Sequence, residues 1–191
     1  MTKDTLRTIY KAKRMALMPE EKQLLDDEIL NGLKSLDLSS VSYLHVYLPI
    51  VKWNEYDTYP FIYWLRQHHP AVHIVVSISE FEKGTLQHYV WNKESVVANV
   101  WGIPEIIVQP DTVHVDPQAI DLILIPLLVC DRDGNRIGYG KGFYDRFLQG
   151  CKTDVQKVGI SYFDPMEEQI PADRWDVPLD SLITPTGSIR F

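Results

Sequence analysis

Cysteine is nearly absent from the chain, since only Cys130 and Cys151 occur among its 191 residues. Their separation matches no common zinc or redox spacing, which argues against a secreted domain stapled by disulfides. Long apolar runs are also absent, because the longest, residues 122–130, is far too short to span a membrane. Residues 1–14 carry charges throughout and contain no apolar segment of the signal-peptide type. These absences predict a cytoplasmic protein that binds no membrane.

Positive charge is scarce as well. The chain has 19 Lys and Arg against 26 Asp and Glu, a formal net charge of −7. This balance offers no bulk attraction for nucleic acid, so nucleic acid is not an expected partner, and an anionic ligand would need a local cluster of Lys and Arg. The length and the apolar fraction of 45% favour one globular domain over residues 1–191. The oligomeric state is left open, and a monomer is compatible with the sequence.

Hydrophobic periodicity predicts that helices and strands alternate. Two helices come first, one over residues 6–18 and one that starts at Pro19, a residue suited to a first helical turn. The nearly all-apolar residues 121–129 are typical of a strand buried on both faces of a parallel sheet. Further predictions are strands at residues 41–48, 72–78, 85–91, 157–161 and 182–184 and helices at residues 57–65 and 143–148. The pattern predicts an α/β fold, a single three-layer domain with a mostly parallel central sheet flanked by helices.

A glycine-rich loop follows the predicted buried strand and leads into a predicted helix. Gly138, Gly140 and Gly142 would let the backbone approach a phosphate closely, and Arg136 and Lys141 would add positive charge. Ligands of open α/β sheets bind beyond the carboxyl ends of the strands, where this loop is expected.

The loop is neither of the two familiar nucleotide-binding motifs. A P-loop requires Ser or Thr after Gly-Lys, but Gly142 follows Lys141. The dinucleotide fingerprint requires two residues between its second and third glycines, and here there is one. The alternative is a flexible turn, against which the two cations and the strand-to-helix setting argue.

Residues 131–146 resemble the signature loop of the 5-formyltetrahydrofolate cyclo-ligase family in a long, ungapped match. Four other segments agree in the same order: residues 3–7, 54–58, 101–105 and 176–184. The resemblance covers almost the whole chain, although residues 66–98 contribute little.

The resemblance implies an α/β enzyme with ATP as cosubstrate, Mg²⁺ as cofactor and 5-formyltetrahydrofolate as substrate. In that chemistry the formyl oxygen on N5 is phosphorylated, N10 attacks the activated carbon, and phosphate leaves to give 5,10-methenyltetrahydrofolate. It needs no protein nucleophile, and no residue is assigned as a general acid or base.

The resemblance also implies individual roles. For ATP binding the residues are Lys3, Arg7, Arg136, Ile137, Gly138, Tyr139, Gly140, Lys141, Gly142, Phe143 and Tyr144. For substrate binding they are Ile50, Glu55, Trp101, Tyr139 and Phe143. For the metal they are Asp145 and, as a second candidate, Asp176.

The N-terminal cations also have a simpler interpretation. Lys3, Arg7, Lys11 and Arg14 recur at helical spacing, which by itself is typical of a solvated helix face. The resemblance implies that Lys3 and Arg7 bind the phosphates of ATP. Lys11 and Arg14 are expected to be solvated.

Other residues have structural alternatives. Without the resemblance, Glu55 would be interpreted as a surface residue, Trp101 as a core tryptophan and Asp145 as a partner of a helix dipole.

Two rival functions also stay open. One is a sugar-phosphate enzyme that needs no ATP, and the other is a non-catalytic regulator that binds folate or nucleotide.

Overall fold

The structure is a computed structural model that describes residues 1–92 and 95–191. In chain order its strands are β1 (Tyr43–His45), β2 (His73–Glu80), β3 (Thr85–Val90), β4 (Val96–Ala98), β5 (Pro104–Ile106), β6 (Leu122–Pro126), β7 (Val129–Cys130), β8 (Arg136–Ile137), β9 (Gln156–Ile160), β10 (Ser181–Thr184) and β11 (Gly187–Arg190). Its helices are α1 (Lys3–Met15), α2 (Pro19–Lys34), α3 (Tyr59–His68) and α4 (Phe143–Gln149), with short 3₁₀ turns at Val51–Trp53 and Pro117–Ala119.

The central sheet has seven strands in the order β11-β10-β9-β6-β1-β2-β3. The inner strands from β10 to β2 run parallel, while β11 and β3 pair antiparallel at the two edges. The prediction of an α/β fold with a mostly parallel central sheet flanked by helices is confirmed. No helix in the described ranges combines the length and the apolarity needed to cross a membrane.

Different helices cover the two faces of the sheet. Along β6, Leu122 and Leu124 belong to the core packed by α2 and α3, whereas Ile123 and Ile125 belong to the core packed by α4. All four side chains are fully buried. An unbroken apolar run is therefore what this strand requires, because neither of its faces meets water.

The predicted strand at residues 121–129 is wrong in its extent. It ends at Pro126, and the chain then leaves the sheet to form a separate hairpin of β7 and β8. Pro126 has no N–H with which to continue a ladder, and Leu128 instead donates its N–H to Ile137 at 2.8 Å. This departure carries the following loop to the end of the sheet.

Helix α1 begins earlier than its apolar stripe indicates. Its N-cap is Thr2, whose hydroxyl oxygen accepts the N–H of Thr5 at 3.2 Å. Lys3 therefore lies in the first helical turn. The hairpin of β4 and β5 was not predicted, and Trp101 lies in its turn.

Gly159 in β9 provides a test of the packing. A Cβ added there would lie 2.6 Å from a methyl carbon of Leu179 and 2.9 Å from one of Leu127. We expect Gly159→Val to lower the free energy of unfolding by about 1–3 kcal/mol in a denaturant titration, because the leucines must shift. The matched control is Gln156→Val, which places the same side chain at an exposed position of this strand and should change stability by less than about 0.5 kcal/mol. Equal effects of the two variants would contradict the packing explanation.

Candidate active site

A cleft of about 560 Å³ opens at the edge of the sheet where the parallel strands end. It is lined by Tyr47 and Ile50, which follow β1, and by Pro126, the last residue of β6. The volume lies within the usual range for small-molecule sites. The position is the one expected for a ligand of an open α/β sheet.

The glycine-rich loop forms one wall of the cleft. Gly140 and Gly142 have φ values of 84° and 68°, in the left-handed region that favours glycine. A Cβ on Gly140 would lie 2.9 Å from the guanidinium carbon of Arg7. The missing side chain thus lets Arg7 reach over from α1 and donate from Nε to the carbonyl oxygen of Gly138 at 3.0 Å.

Lys3 also lines the cleft, and it already forms ion pairs with two aspartates. Its Nζ lies 2.5 Å from Asp176 Oδ2 and 2.7 Å from Asp173 Oδ2. Burial by itself lowers the pKa of Lys3, but the hydrogen bonds and charges of the two aspartates outweigh it and raise the pKa. Lys3 is therefore a full positive charge, and an anionic ligand would compete with the aspartates for it.

Arg136 and Lys141 line the cleft together with Lys3 and Arg7, and these four residues are called its cationic end. The guanidinium of Arg136 is almost buried, 2.6 Å from Asp145 Oδ1, and it also donates to the carbonyl oxygen of Val177. Lys141 is exposed, and its ammonium group has no ion pair within the described residues. A ligand could therefore reach Lys141 without breaking an ion pair of the described residues.

Glu55 also lines the cleft and is 5% exposed. Its Oε2 accepts the backbone N–H of Ile50 at 2.6 Å, and its Oε1 accepts the hydroxyl of Tyr139. Burial raises the pKa of Glu55, although these two hydrogen bonds and the charge of Arg14 act in the opposite direction. A buried carboxylate facing a cleft is suited to bind a polar group of a ligand.

Aromatic rings line much of the cleft. Trp53 and Tyr139 pack with ring centroids 4.6 Å apart on the Glu55 side. The ring of Phe81 lies 5.5 Å from that of Trp101 and 5.4 Å from that of Phe143 between centroids, and all three rings line the cleft. Trp101 is 58% exposed, so it is not a core tryptophan. Flat apolar walls with a few polar groups are typical of sites for ring-shaped ligands.

Comparison with known proteins identifies the family. The model of the 5-formyltetrahydrofolate cyclo-ligase family matches residues 1–185. The chain belongs to this family.

Individual relatives agree with this assignment. The chain is 29% identical over 182 residues to the 5-formyltetrahydrofolate cyclo-ligase of Escherichia coli K12, which covers 93% of this chain and 97% of that one. It is 32% identical over 186 residues to the enzyme of the same name from Mycoplasma pneumoniae, with coverage of 96% and 98%.

Solved structures of the family share the fold. The NMR structure of Aquifex aeolicus 5,10-methenyltetrahydrofolate synthetase superimposes with a TM-score of 0.82 at 29% identity, covering 100% of this chain and 93% of that one. The synthetase of Mycoplasma pneumoniae gives a TM-score of 0.77 at 28% identity, covering 97% and 99%.

Every residue to which the resemblance to the cyclo-ligase family gave a role lines this one cleft, from Lys3 to Asp176.

The expectation that Arg14 is solvated was wrong. Arg14 is only 3% exposed, and its Nη2 donates to Tyr139 Oη at 2.8 Å. Lys11 is exposed as expected, and its Nζ lies 5.0 Å from the centroid of the Trp53 ring. Helical spacing alone could not separate these two cations, because Arg14 is buried by contacts from distant parts of the chain.

Two carboxylates in the cleft could hold a metal ion. Asp145 uses Oδ1 for Arg136 and for the N–H of Val177, and Asp176 uses Oδ2 for Lys3 and for the N–H of Asp173. The second oxygen of each carboxylate accepts no hydrogen bond from the described residues. No group of three or more His, Cys, Asp or Glu suited to a metal occurs in those residues. The two free oxygens fit Mg²⁺, which often takes only one or two protein carboxylates and completes its shell with phosphates and water.

A polar cluster that reaches the cleft through His45 and Ser77 was not predicted from the sequence. Ser77 Oγ lies 2.8 Å from His45 Nε2 and 2.9 Å from His88 Nδ1. Ser77 and His88 are directly paired across β2 and β3, a register that the two separate strands do not reveal. Burial lowers the pKa of His45 well below its ordinary value and that of His88 to about 4, so both imidazoles are neutral at pH 7.

This cluster predicts a pH-dependent stability. In the unfolded chain His88 gains a proton near pH 6.5, whereas in the folded chain it stays neutral down to about pH 4. Stability is therefore lost as the pH falls below 6.5. For His88→Gln we expect the loss of unfolding free energy between pH 7.5 and pH 5 to be smaller than in the wild type by about 2 kcal/mol.

Denaturant titrations at the two pH values measure this difference. Ser77→Ala is the control, because it keeps both imidazoles buried. It should lower stability at both pH values and retain the pH dependence. A wild type and a His88→Gln variant with the same pH dependence would contradict the prediction.

Proposed function

We propose that this chain catalyses the ATP-dependent cyclisation of 5-formyltetrahydrofolate to 5,10-methenyltetrahydrofolate, with release of ADP and phosphate. One contact carries the proposal: Tyr139 of the glycine-rich loop donates a hydrogen bond to the buried Glu55. A loop suited to phosphates and a carboxylate suited to a polar heterocycle therefore line the same cleft. The names of the relatives from Escherichia coli and Mycoplasma pneumoniae support this reaction.

The proposed reaction has two steps. The γ-phosphoryl group of ATP moves to the formyl oxygen on N5, and the bond to ADP breaks. N10 then attacks the formyl carbon and loses its proton, while the formyl oxygen departs with the phosphate. No bond to a protein atom forms, so the chain acts by holding the two substrates in line and by neutralising charge.

At the cationic end, Lys3, Arg7, Arg136 and Lys141 bind the phosphates of ATP, and the backbone of the glycine-rich loop lies against them. Three of these cations already have a carboxylate partner. Phosphate binding then exchanges one anionic partner for another, and for Arg136, whose side chain is 6% exposed, most of the desolvation has already occurred in the free protein. Mg²⁺ held by Asp145 and Asp176 would supply further positive charge for the phosphates.

At the opposite end, Glu55 accepts hydrogen bonds from the pterin ring or from the region of N5. Ile50, Trp101, Tyr139 and Phe143 form the apolar surfaces around it. This assignment rests on burial, since Glu55 is a carboxylate that is 5% exposed and lines the cleft beside Ile50 and Tyr139. We further propose that residues 1–191 act as a single domain in the cytoplasm.

One assay tests the function against its rivals. Purified protein is given 5-formyltetrahydrofolate and Mg²⁺, with and without ATP, and methenyl absorbance is followed. Formation of the product only when ATP is present supports the proposal. A sugar-phosphate enzyme would give no product in either case, and a binding protein would bind the folate without turnover.

Glu55→Gln should weaken folate binding selectively, because the neutral amide cannot replace an ionised acceptor. We expect the KM for 5-formyltetrahydrofolate to rise about tenfold or more, while the KM for ATP stays within about twofold. Steady-state kinetics with each substrate varied in turn measure the difference. Glu28→Gln, on the exposed surface of α2, is the matched control. Equal losses for both substrates would overturn the assignment of Glu55 to the folate end.

Lys141→Ala should act on the nucleotide instead. We expect the KM for ATP to rise about threefold to tenfold because one phosphate-binding cation is lost, with little change in the KM for folate. Lys34→Ala removes the same charge from an exposed position in the last turn of α2 and serves as the control. An ATP dependence like that of the wild type would mean that Lys141 points to solvent in the complex.

A further inference from the structure

Arg14 is a buried cation without a direct anionic partner among the described residues. It lies in the last turn of α1 and is 3% exposed. Its Nη2 donates to Tyr139 Oη at 2.8 Å, and its carbonyl oxygen accepts Nδ2 of Asn54 at 2.9 Å. Its Nε is buried and has no hydrogen-bond partner within the described ranges. Burial of a cation in this way is unfavourable unless an anion nearby benefits from the charge.

Glu55 is an anion that benefits from this charge, since Arg14 lowers its pKa, and Tyr139 joins the two residues. The hydroxyl of Tyr139 has one proton, which it donates to Glu55 Oε1. Its oxygen can then only accept from Arg14, which has N–H donors and no acceptor. The direction of this chain of hydrogen bonds is therefore fixed, from Arg14 through Tyr139 to Glu55. A cationic donor polarises the phenol and strengthens its bond to the carboxylate.

Arg14 and Glu55 also share a small cavity of about 10 Å³ behind the cleft. The hydroxyl of Tyr56 lines this cavity and, like Arg14 Nε, is buried with no hydrogen-bond partner in the described part of the chain. The volume is close to that of one water molecule. The surroundings of Glu55 on this side are thus polar, and the cation is their charged component.

The other titratable groups around Glu55 are neutral phenols or lie farther away. Burial raises the pKa of each of the phenols Tyr47, Tyr56, Tyr139, Tyr144 and Tyr162, which come from separate segments of the chain. Asp26 of α2 lies behind Tyr162, whose hydroxyl it accepts at 2.5 Å, and it pairs with Lys22. Arg14 is the cation whose charge opposes the effect of burial on the pKa of Glu55.

We propose that Arg14 is a positioning residue for the folate end of the cleft, which holds Glu55 ionised and oriented through Tyr139. This role rests on the proposed function, because it assumes that Glu55 binds the folate. Arg14 itself touches neither substrate. Its effect should therefore appear in the charge state of Glu55 and in folate binding, and not in the use of ATP.

The first measurement needs no turnover. The carboxyl carbon of Glu55 is titrated by ¹³C NMR in the wild type, Arg14→Met, Arg14→Lys and Lys13→Met. We expect Arg14→Met to raise the titration midpoint of Glu55 by about one pH unit or more, because an opposite charge is lost. Arg14→Lys keeps the charge and should stay closer to the wild type. Lys13→Met removes a charge from the neighbouring exposed position and should leave the midpoint unchanged.

The second measurement is kinetic. With Arg14→Met we expect kcat/KM for 5-formyltetrahydrofolate to fall about tenfold at pH values below the titration midpoint of Glu55, and less at neutral pH, while the KM for ATP stays within about twofold. The acid limb of the pH profile should move to higher pH, since Glu55 must lose its proton to bind. Raising the pH should therefore restore part of the activity. Tyr139→Phe breaks the same chain of hydrogen bonds. The double variant with Arg14→Met should therefore lose less kcat/KM, expressed as free energy, than the sum of the losses of the two single variants.

Several results would overturn the inference: an unchanged midpoint of Glu55, equal changes in the kinetics of both substrates, or a lower melting temperature as the only effect. If Arg14→Met does not fold, Tyr139→Phe carries the NMR test, because it breaks the link between Arg14 and Glu55 and should also raise the midpoint of Glu55. A wild type that neither binds nor converts the folate would refute the proposed function. The NMR titration would still decide whether Arg14 controls the charge state of Glu55.

Discussion

The hydrogen bond from Tyr139 to Glu55 joins two parts of the molecule that are far apart in sequence. Tyr139 lies in the glycine-rich loop after β8, and Glu55 follows the segment that leaves β1. Because the bond is made inside the cleft, it fixes the separation between the loop and the carboxylate. A phosphoryl transfer between two bound substrates depends on such a fixed separation, since most of its catalysis comes from alignment. The aromatic ring of Trp53 packs on Tyr139 and limits the positions that the phenol can take.

The two ends of the cleft are stabilised by different kinds of interaction. At the cationic end the ion pairs of Lys3 with Asp173 and Asp176 are partly exposed, so water and salt weaken them and a phosphate can replace them. At the other end Glu55 is buried and hydrogen-bonded on both oxygens. Rearranging that group would leave a buried charge unpaired, which is costly. The cationic end can therefore adapt to a ligand, while the surroundings of Glu55 stay preorganised.

Local pattern was enough to predict the sheet and the loop. The apolar run before the loop indicated a strand buried on both faces, and the glycines with Arg136 and Lys141 indicated a phosphate site. What local pattern could not provide were contacts between distant segments. Arg14 was expected in solvent, yet Tyr139, which follows it by more than a hundred residues, helps to bury it. The cluster of His45, Ser77 and His88 likewise depends on the register of neighbouring strands.

The break after Pro126 explains how the loop reaches the cleft. The chain leaves the sheet there and forms the hairpin of β7 and β8, whose turn is held by the buried Asp131. Its Oδ1 accepts the N–H groups of Asp133 and Asn135, and its Oδ2 accepts that of Ile170. A carboxylate with several backbone donors makes a rigid turn, so Arg136, which pairs with Cys130 inside the hairpin, is held in place. Gly138, Gly140 and Gly142 come only after this anchor, so the glycine-rich loop starts from a fixed point of the hairpin.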